Sequence, residues 1–306
     1  MMPKPKSSEK LVHRITHIVS AVFLALLTVH SVEAGGGVFT IPSLEKIVPQ
    51  ALEKNRGRSL SPHEIQYRVK DYYYQIQYQT EQLGIAEEVK KHFEKAVQKS
   101  EEQFEKAEGD ISQSNITKLK LGLSGTLHDI IELENELQIS KLALGEITGM
   151  DFADGSKLEE DTIHVVSFPF NSFNELLEKY GLEQIRAPKV EETSSANSPN
   201  PAEGSLKSSG NLKSENLFSL KRAYLKINEA RGKLGLAEDS RKITRALLVT
   251  EVANYDFGIG DSGDLFEALI IYTRVLRGYY EAVYNHNMAV AGMDREVAKI
   301  FSPVGS

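Results

Sequence analysis

The feature that most constrains this chain is a set of four apolar seams, each repeating about every 3.5 residues. The first runs Ile65, Val69, Tyr72, Ile76, Gln79, Leu83, Ala86, Lys90, Phe93, Val97, Ser100, Phe104 and Ala107, and ten of these thirteen positions are apolar. Ser61, Pro62 and Glu64 predict its start: the Ser as cap, the Pro at the first helical position, Glu64 completing a capping box. The seam breaks at Gly109-Asp110, and Ser112 or Ser114 is the next cap. A second seam follows through Ile116, Leu119, Leu123, Thr126, Ile130, Leu133, Leu137, Ser140, Leu144 and Ile147, eight of ten apolar, and stops at Gly149. A third opens with Leu217, Leu220, Tyr224, Ile227 and Leu234, continues through Ile243, Leu247 and Ala253, and ends in Tyr255-Asp256-Phe257-Gly258-Ile259-Gly260. Asp261 is placed to cap a fourth helix, whose seam is Leu265, Ala268, Tyr272, Val275, Tyr279, Ala282, His286, Ala289 and Met293. Short polar loops make each successive pair antiparallel. Arms of roughly 35–45 residues reach about 55–65 Å at 1.5 Å per residue. The expected fold class is therefore all-α, with two long antiparallel helical hairpins of coiled-coil type over 61–149 and 216–300.

The two hairpins look duplicated. A shift of 146 residues places Leu119 on Leu265, Leu123 on Leu269, Ile130 on Leu276 and Leu137 on Val283. Between them, 150–190 reads as an irregular connector, with a short strand at 162–170 and a short helix at 171–180. Residues 191–215 are rich in Ser, Asn, Pro, Glu and Gly and read as a disordered linker.

Ahead of the hairpins, 1–34 has the layout of a secretory signal. Lys4, Lys6, Lys10 and Arg14 precede an apolar run from Ile18 to Val29, and Val32 and Ala34 sit at −3 and −1 of a cut before Gly35. A run of twelve residues spans only about 18 Å as helix, short of the ~30 Å hydrocarbon core. Residues 35–60 form an N-terminal segment with one short helix. The chain without its signal carries 32 basic and 41 acidic residues, net −9, which argues against a nucleic-acid partner. There is no Cys, so disulfides, Cys-ligated metals and thiol chemistry are excluded. His13 and His17 have metal-like spacing but lie in the signal, and no other His pair has a third ligand at suitable spacing. Gly258-Ile259-Gly260 follows a helix rather than a strand and lacks a third Gly, so it is no dinucleotide fingerprint. No enzyme or cofactor is expected.

The stretch Tyr255-Asp-Phe-Gly258-Ile-Gly-Asp-Ser-Gly-Asp264-Leu265-Phe-Glu267-Ala268, continued to Tyr272 and through Tyr284-Asn285 to Ala289, resembles the second helical hairpin of the TolC family. That family comprises outer-membrane efflux and type I secretion ducts. The first hairpin, ending in Leu142-Ala143 and Ile147-Thr148-Gly149, is similar too. Ser43 to Leu52 looks like the short helix that opens family members.

The resemblance implies an α-barrel protomer of a homotrimer whose hairpin tips meet a periplasmic adaptor protein beneath an inner-membrane pump. It places adaptor contact at Asp110, Ser112, Tyr255, Gly258, Gly260 and Asp261. Tyr255 falls where the family has a latching tip Tyr. Asp264 and Glu267 fall on two acidic positions that ring the narrow entrance, where a trimer would gather six carboxylates into a cation-attracting mouth. The plain alternative is that Asp264 merely caps the fourth helix and favours its N-terminal dipole, while Glu267 is solvated. Gly260 stands where a latching Arg can occur, which leaves a salt-bridge latch unsupported. Each family protomer also supplies four transmembrane strands. Such strands need about 9–11 alternating residues, and none is readable in 35–60 or 185–215. Little or no β-barrel portion is therefore expected. The expected location is the outer membrane or periplasm of a Gram-negative bacterium. The alternative function is a periplasmic coiled-coil structural or interaction protein without its own pore.

Overall fold

The structure, a computed structural model, describes residues 40–107, 111–152, 155–183 and 203–302, with the side chains of its longest helix from Ser214 onward. The signal segment expected at 1–34 lies outside them. Strand β1 (Thr40–Ile41) leads into α1 (Leu44–Lys54), then the long helices α2 (Pro62–Glu105) and α3 (Gln113–Thr148). Strand β2 (Lys157–Leu158) and helix α4 (Phe173–Lys179) follow, and α5 (Glu203–Phe257) and α6 (Ser262–Phe301) complete the chain. The α2–α3 and α5–α6 pairs are the two predicted hairpins. They join through α2 against α6, so α3 and α5 lie on the outside.

The seams are the reason for this packing. Along α2, Ile65, Val69, Ile76, Ala86 and Phe93 are buried, and along α3 so are Ile116, Leu119, Ile130, Leu133, Leu144 and Ile147. The third seam departs from expectation. Leu220, Ile227, Leu234 and Leu248 are buried, but Ile243 is 71% exposed, on the far side of α5. The heptad period keeps residues seven apart on one face, and Ile243 is out of step with Leu220, Ile227, Leu234 and Leu248. One glycine lets two helices approach and another lets the chain fold back. A Cβ on Gly122 would lie 2.6 Å from the Phe93 ring of α2, and one on Gly145 would lie 2.7 Å from the carbonyl of Met150, just past the end of α3. Gly149 ends α3 in the left-handed region, with φ 75°.

Polar bonds cross the α2–α6 contact along its length. Tyr284 donates to Asp71 at 2.6 Å, Tyr272 donates to Glu88 at 2.8 Å, and Lys70 pairs with Asp294 at 2.8 Å. The expected capping box does not form. Ser61 Oγ bonds His63 Nε2 at 2.9 Å, while Glu64 binds Arg68 at 3.0 Å and Arg295 at 3.3 Å. Two guanidinium charges hold a carboxylate more strongly than one backbone N–H does. Burial works to raise the Glu64 carboxyl, but the bonds and charges of Arg68 and Arg295 outweigh it and hold the group low.

Two further expectations change. Helix α5 begins at Glu203, inside the 191–215 stretch read as linker. Extending a helix already nucleated adds one hydrogen bond per residue at little cost, so composition alone understated its reach. Residues 191–202 lie outside the described residues. The segment 162–170 is extended but is no strand, and the β-pair is β1 with β2, parallel. Side chains take the place of a neighbouring strand. Gln77 donates to the carbonyls of Glu160 at 2.7 Å and Thr162 at 3.1 Å. Asn287 donates to the carbonyl of His164 and accepts from Val166 N, both at 2.8 Å. His286 Nε2 meets the Val166 carbonyl at 3.0 Å, and Arg231 donates to that of Phe168 at 2.7 Å. The carbonyls of 160, 162, 164, 166 and 168 thus all meet side chains of the helices. The connector is thereby strapped to α2, α5 and α6.

Replacing Asn287, which is 1% exposed, takes away the partner of one N–H and one carbonyl of the strap, both partly buried. Asn287→Ala is expected to cost about 1–3 kcal/mol and to open 160–170 to protease before the helices melt. Urea unfolding with limited proteolysis checks this; an unchanged midpoint and cleavage pattern would contradict it.

Candidate functional site: the hairpin tips

Both tips lie at one end of the hairpin pair, because the end of α5 is tied to the end of α2. Ser112 caps α3 as expected: its hydroxyl accepts from Asn115 N at 3.2 Å and donates to Asn115 Oδ1 at 2.6 Å. Asp110 lies outside the described residues. Ahead of it, Ala107 is held at φ 52°, the left-handed region that a Gly would adopt without strain.

The second tip is a tight reversal. Gly258 takes φ 73°, Ile259 N donates to the Asn254 carbonyl at 2.9 Å, and Gly258 N donates to that of Tyr255 at 3.2 Å. These are the paired bonds of a Schellman stop, and they require the residue at Gly258 to be left-handed. A Cβ on Gly260 would lie 2.9 Å from the Asn254 Cβ, so this glycine lets the chain pass over the helix end. Asp261 then caps α6, its Oδ1 accepting from Asp264 N at 2.9 Å and from Gly263 N. Asp264 is thus not the cap. It and Glu267 are exposed in the first turns of α6, one turn apart on one face.

Tyr255 does not face solvent. It is 5% exposed, and its hydroxyl lies 2.8 Å from Ser100 Oγ and donates to the Ala96 carbonyl at 3.0 Å. Burial pushes the phenol up, with the Ser100 bond working the other way. Lys99 sits over its ring, 4.6 Å from the centroid, and donates to the carbonyls of Tyr255 at 2.6 Å and Asp256 at 3.1 Å. A cation on the last carbonyls of a helix satisfies orphan acceptors and meets the negative end of the dipole. Lys95 adds an ion pair to Asp256 at 2.7 Å. A charged tie between the hairpins therefore exists, carried by Lys95 and Lys99 rather than by residue 260.

Sequence reasoning missed Lys95, Lys99 and Ser100, whose partners lie some 155 residues on. It also passed over Phe257 and Ile259, which flank the Gly258 turn at 80% and 81% exposure. Their signal was available: two large apolar residues beyond the last seam position have no seam to enter. Together they present an uncovered apolar knuckle at the tip, with the half-exposed Phe104 at the end of α2.

Removing the Tyr255 hydroxyl leaves Ser100 and the α2 backbone in place. Tyr255→Phe is expected to loosen the tie by about 1 kcal/mol, read as faster amide exchange confined to 95–107 and 250–262. Exchange unchanged there, or faster throughout, would overturn the assignment.

Neither a protein-family model nor a curated protein matches the sequence. Solved structures do match the fold. CusC, described for folding and transmembrane channel formation, aligns with TM-score 0.61 and 12% identity over 85% of this chain and 97% of its own. The outer-membrane channel OprN aligns with TM-score 0.56 and 12% identity over 83% of this chain and 70% of its own. The outer membrane protein VceC of Vibrio cholerae aligns with TM-score 0.57 and 10% identity over 83% of this chain and 74% of its own. With its two hairpins, strapped connector and Gly258 turn, this chain has the fold of a TolC-family outer-membrane channel protomer.

Proposed function

We propose that this chain is a component of an outer-membrane efflux or type I secretion duct and that its hairpin tips contact a periplasmic adaptor protein. The observation that carries the reading is the knuckle of Phe257 and Ile259, held rigidly outward by the Gly258 stop, on a fold shared with outer-membrane channels. Exposed apolar side chains on a fixed turn are a recognition surface, since water gains nothing from them and a partner's groove does. In this reading 1–34 directs export, three copies form the duct, and an inner-membrane pump feeds it through the adaptor. Ser112, Gly258, Gly260 and Asp261 shape the docking tips, with Asp110 beside them. Tyr255 holds the tips together in the closed arrangement. Asp264 and Glu267 supply the acidic ring at the entrance.

A second reading has its own support. The sequence has no run of about ten alternating residues suited to a membrane strand, which favours a periplasmic coiled-coil protein without a pore. Among the described residues, no helix is long and apolar enough to cross a membrane. Fractionation and native mass separate the two: a trimer in the outer-membrane fraction supports the duct, and a soluble periplasmic monomer supports the alternative.

For the tip, Pro cannot adopt the φ of Gly258, and a side chain at Gly260 meets Asn254. Gly258→Pro and Gly260→Leu are expected to cut photo-cross-linking from Ile259 to an adaptor by about tenfold or more, the size of a lost hot spot, with helix content unchanged. Full cross-linking in both would sink tip docking. For the acidic ring, Asp264→Ala with Glu267→Ala is expected to relieve block by divalent cations in single-channel records; unaltered block would remove these carboxylates from the entrance.

A further inference from the structure

Between α2 and α3 the apolar core is broken in two. Ile76, Leu137 and Leu158 belong to one part, and Leu83, Ala86, Ile130 and Leu133 to the other. The bond of Ser140 to Gln75 at 3.3 Å sets the level of the two helices. At the break α2 carries Thr80, one turn from both Ile76 and Leu83, and α3 carries Asn135 and Gln138. Thr80 is small and donates its hydroxyl to the Ile76 carbonyl of its own helix at 2.7 Å, so it does not fill the gap. What remains is a cavity of about 620 Å³, bounded on its third side by 155–161. That is within the roughly 300–1,000 Å³ of small-molecule sites.

The wall of this cavity is mostly apolar, with Ile76, Leu83, Leu137 and Leu158 along it. Among the described residues its charges balance: Lys141 and Lys157 against Glu134 and Asp161. They differ in depth. Lys141 is only 5% exposed, whereas Lys157, Glu134 and Asp161 are exposed at the rim. An ammonium has three N–H donors, enough for a partner in the protein and an oxygen of a ligand at once. Lys141 and Glu134 stand two turns apart on α3, about 10 Å, a gap that their long side chains can close on one head group. A ligand of a single charge would meet two like charges here. An uncharged one would desolvate all four without pairing any.

We propose that this cavity binds a zwitterionic amphiphile. Its anionic group lies beside Lys141, its cationic group at the Glu134 and Asp161 rim, and its chain along Ile76, Leu83 and Leu137. The site owes nothing to the hairpin tips, so it stands in either reading of function.

Isothermal titration of the full chain, held in a non-ionic amphipol, tests this with octyl amphiphiles that differ only in head group. Octylphosphocholine is expected to bind as one equivalent per chain. It should bind about tenfold or more tighter than octyl phosphate, octyltrimethylammonium or octyl glucoside, the size of one charge-assisted bond. K141M is expected to weaken octylphosphocholine and octyl phosphate by about tenfold and leave octyltrimethylammonium unchanged. E134Q with D161N is expected to do the reverse, weakening the two cationic heads and sparing octyl phosphate. T80W, which fills the gap, is expected to abolish binding. Circular dichroism checks the fold of each variant. Lys141 is buried, so if K141M unfolds, E134Q with D161N at exposed positions carries the same test. Equal affinity across the series, many equivalents per chain, or binding that survives T80W would each overturn the site. Octyl phosphate binding as tightly as octylphosphocholine would overturn its zwitterionic character.

Discussion

The packing of α2 against α6 is the contact on which the rest of the protein depends. Each hairpin is closed by its own loop, and this antiparallel contact is the main one that makes two hairpins into one body, with the Asp129–Arg277 pair and the tip tie beside it. Its apolar part is large, with Tyr73, Ile76, Phe93, Tyr272 and Val283 all at most 2% exposed. Its polar part sets the register. The Tyr284–Asp71, Tyr272–Glu88 and Lys70–Asp294 bonds are each satisfied at one alignment only. Slipping by one turn would bury unpaired phenols and carboxylates, a cost of several kcal/mol that heptad seams alone do not impose.

From that register two consequences follow at opposite ends. Away from the tips, His286 and Asn287 of α6 and Gln77 of α2 come level with each other and with the connector. Four carbonyls of the connector then find side-chain partners without any sheet, and Arg231 of α5 takes a fifth. At the tips, the same register brings Lys95, Lys99 and Ser100 level with Tyr255 and Asp256. One tie fixes the connector, and the other fixes the bends. In the span between them, Arg277 of α6 pairs with Asp129 of α3 at 2.9 Å and Arg241 of α5 lies over the Tyr279 ring of α6.

The chemistry of the tip is divided between rigid and exposed parts. Gly258 and Gly260 have no side chain to bind with, and Asp261 uses its own to cap α6; together they set the turn that carries Phe257 and Ile259. Asp264 and Glu267 are solvated in one copy, and any collective field from them needs other copies to face them.

Local chemistry was legible in the amino-acid sequence by itself. The 3.5-residue seams made the hairpins, Ser112 and Asp261 made the caps, and Gly149 and Gly258 made the stops, because each of these depends on residues within one or two turns. Tertiary structure decided what no local pattern encodes. It chose Arg68 and Arg295 over a backbone cap for Glu64, turned Ile243 outward, and replaced the expected 162–170 strand with side-chain clamps. It also supplied the partners of Tyr255 from about 155 residues away. The physical reason is common to all of these: periodicity specifies which face is apolar, while the identity of the group that meets it depends on how helices distant in sequence align.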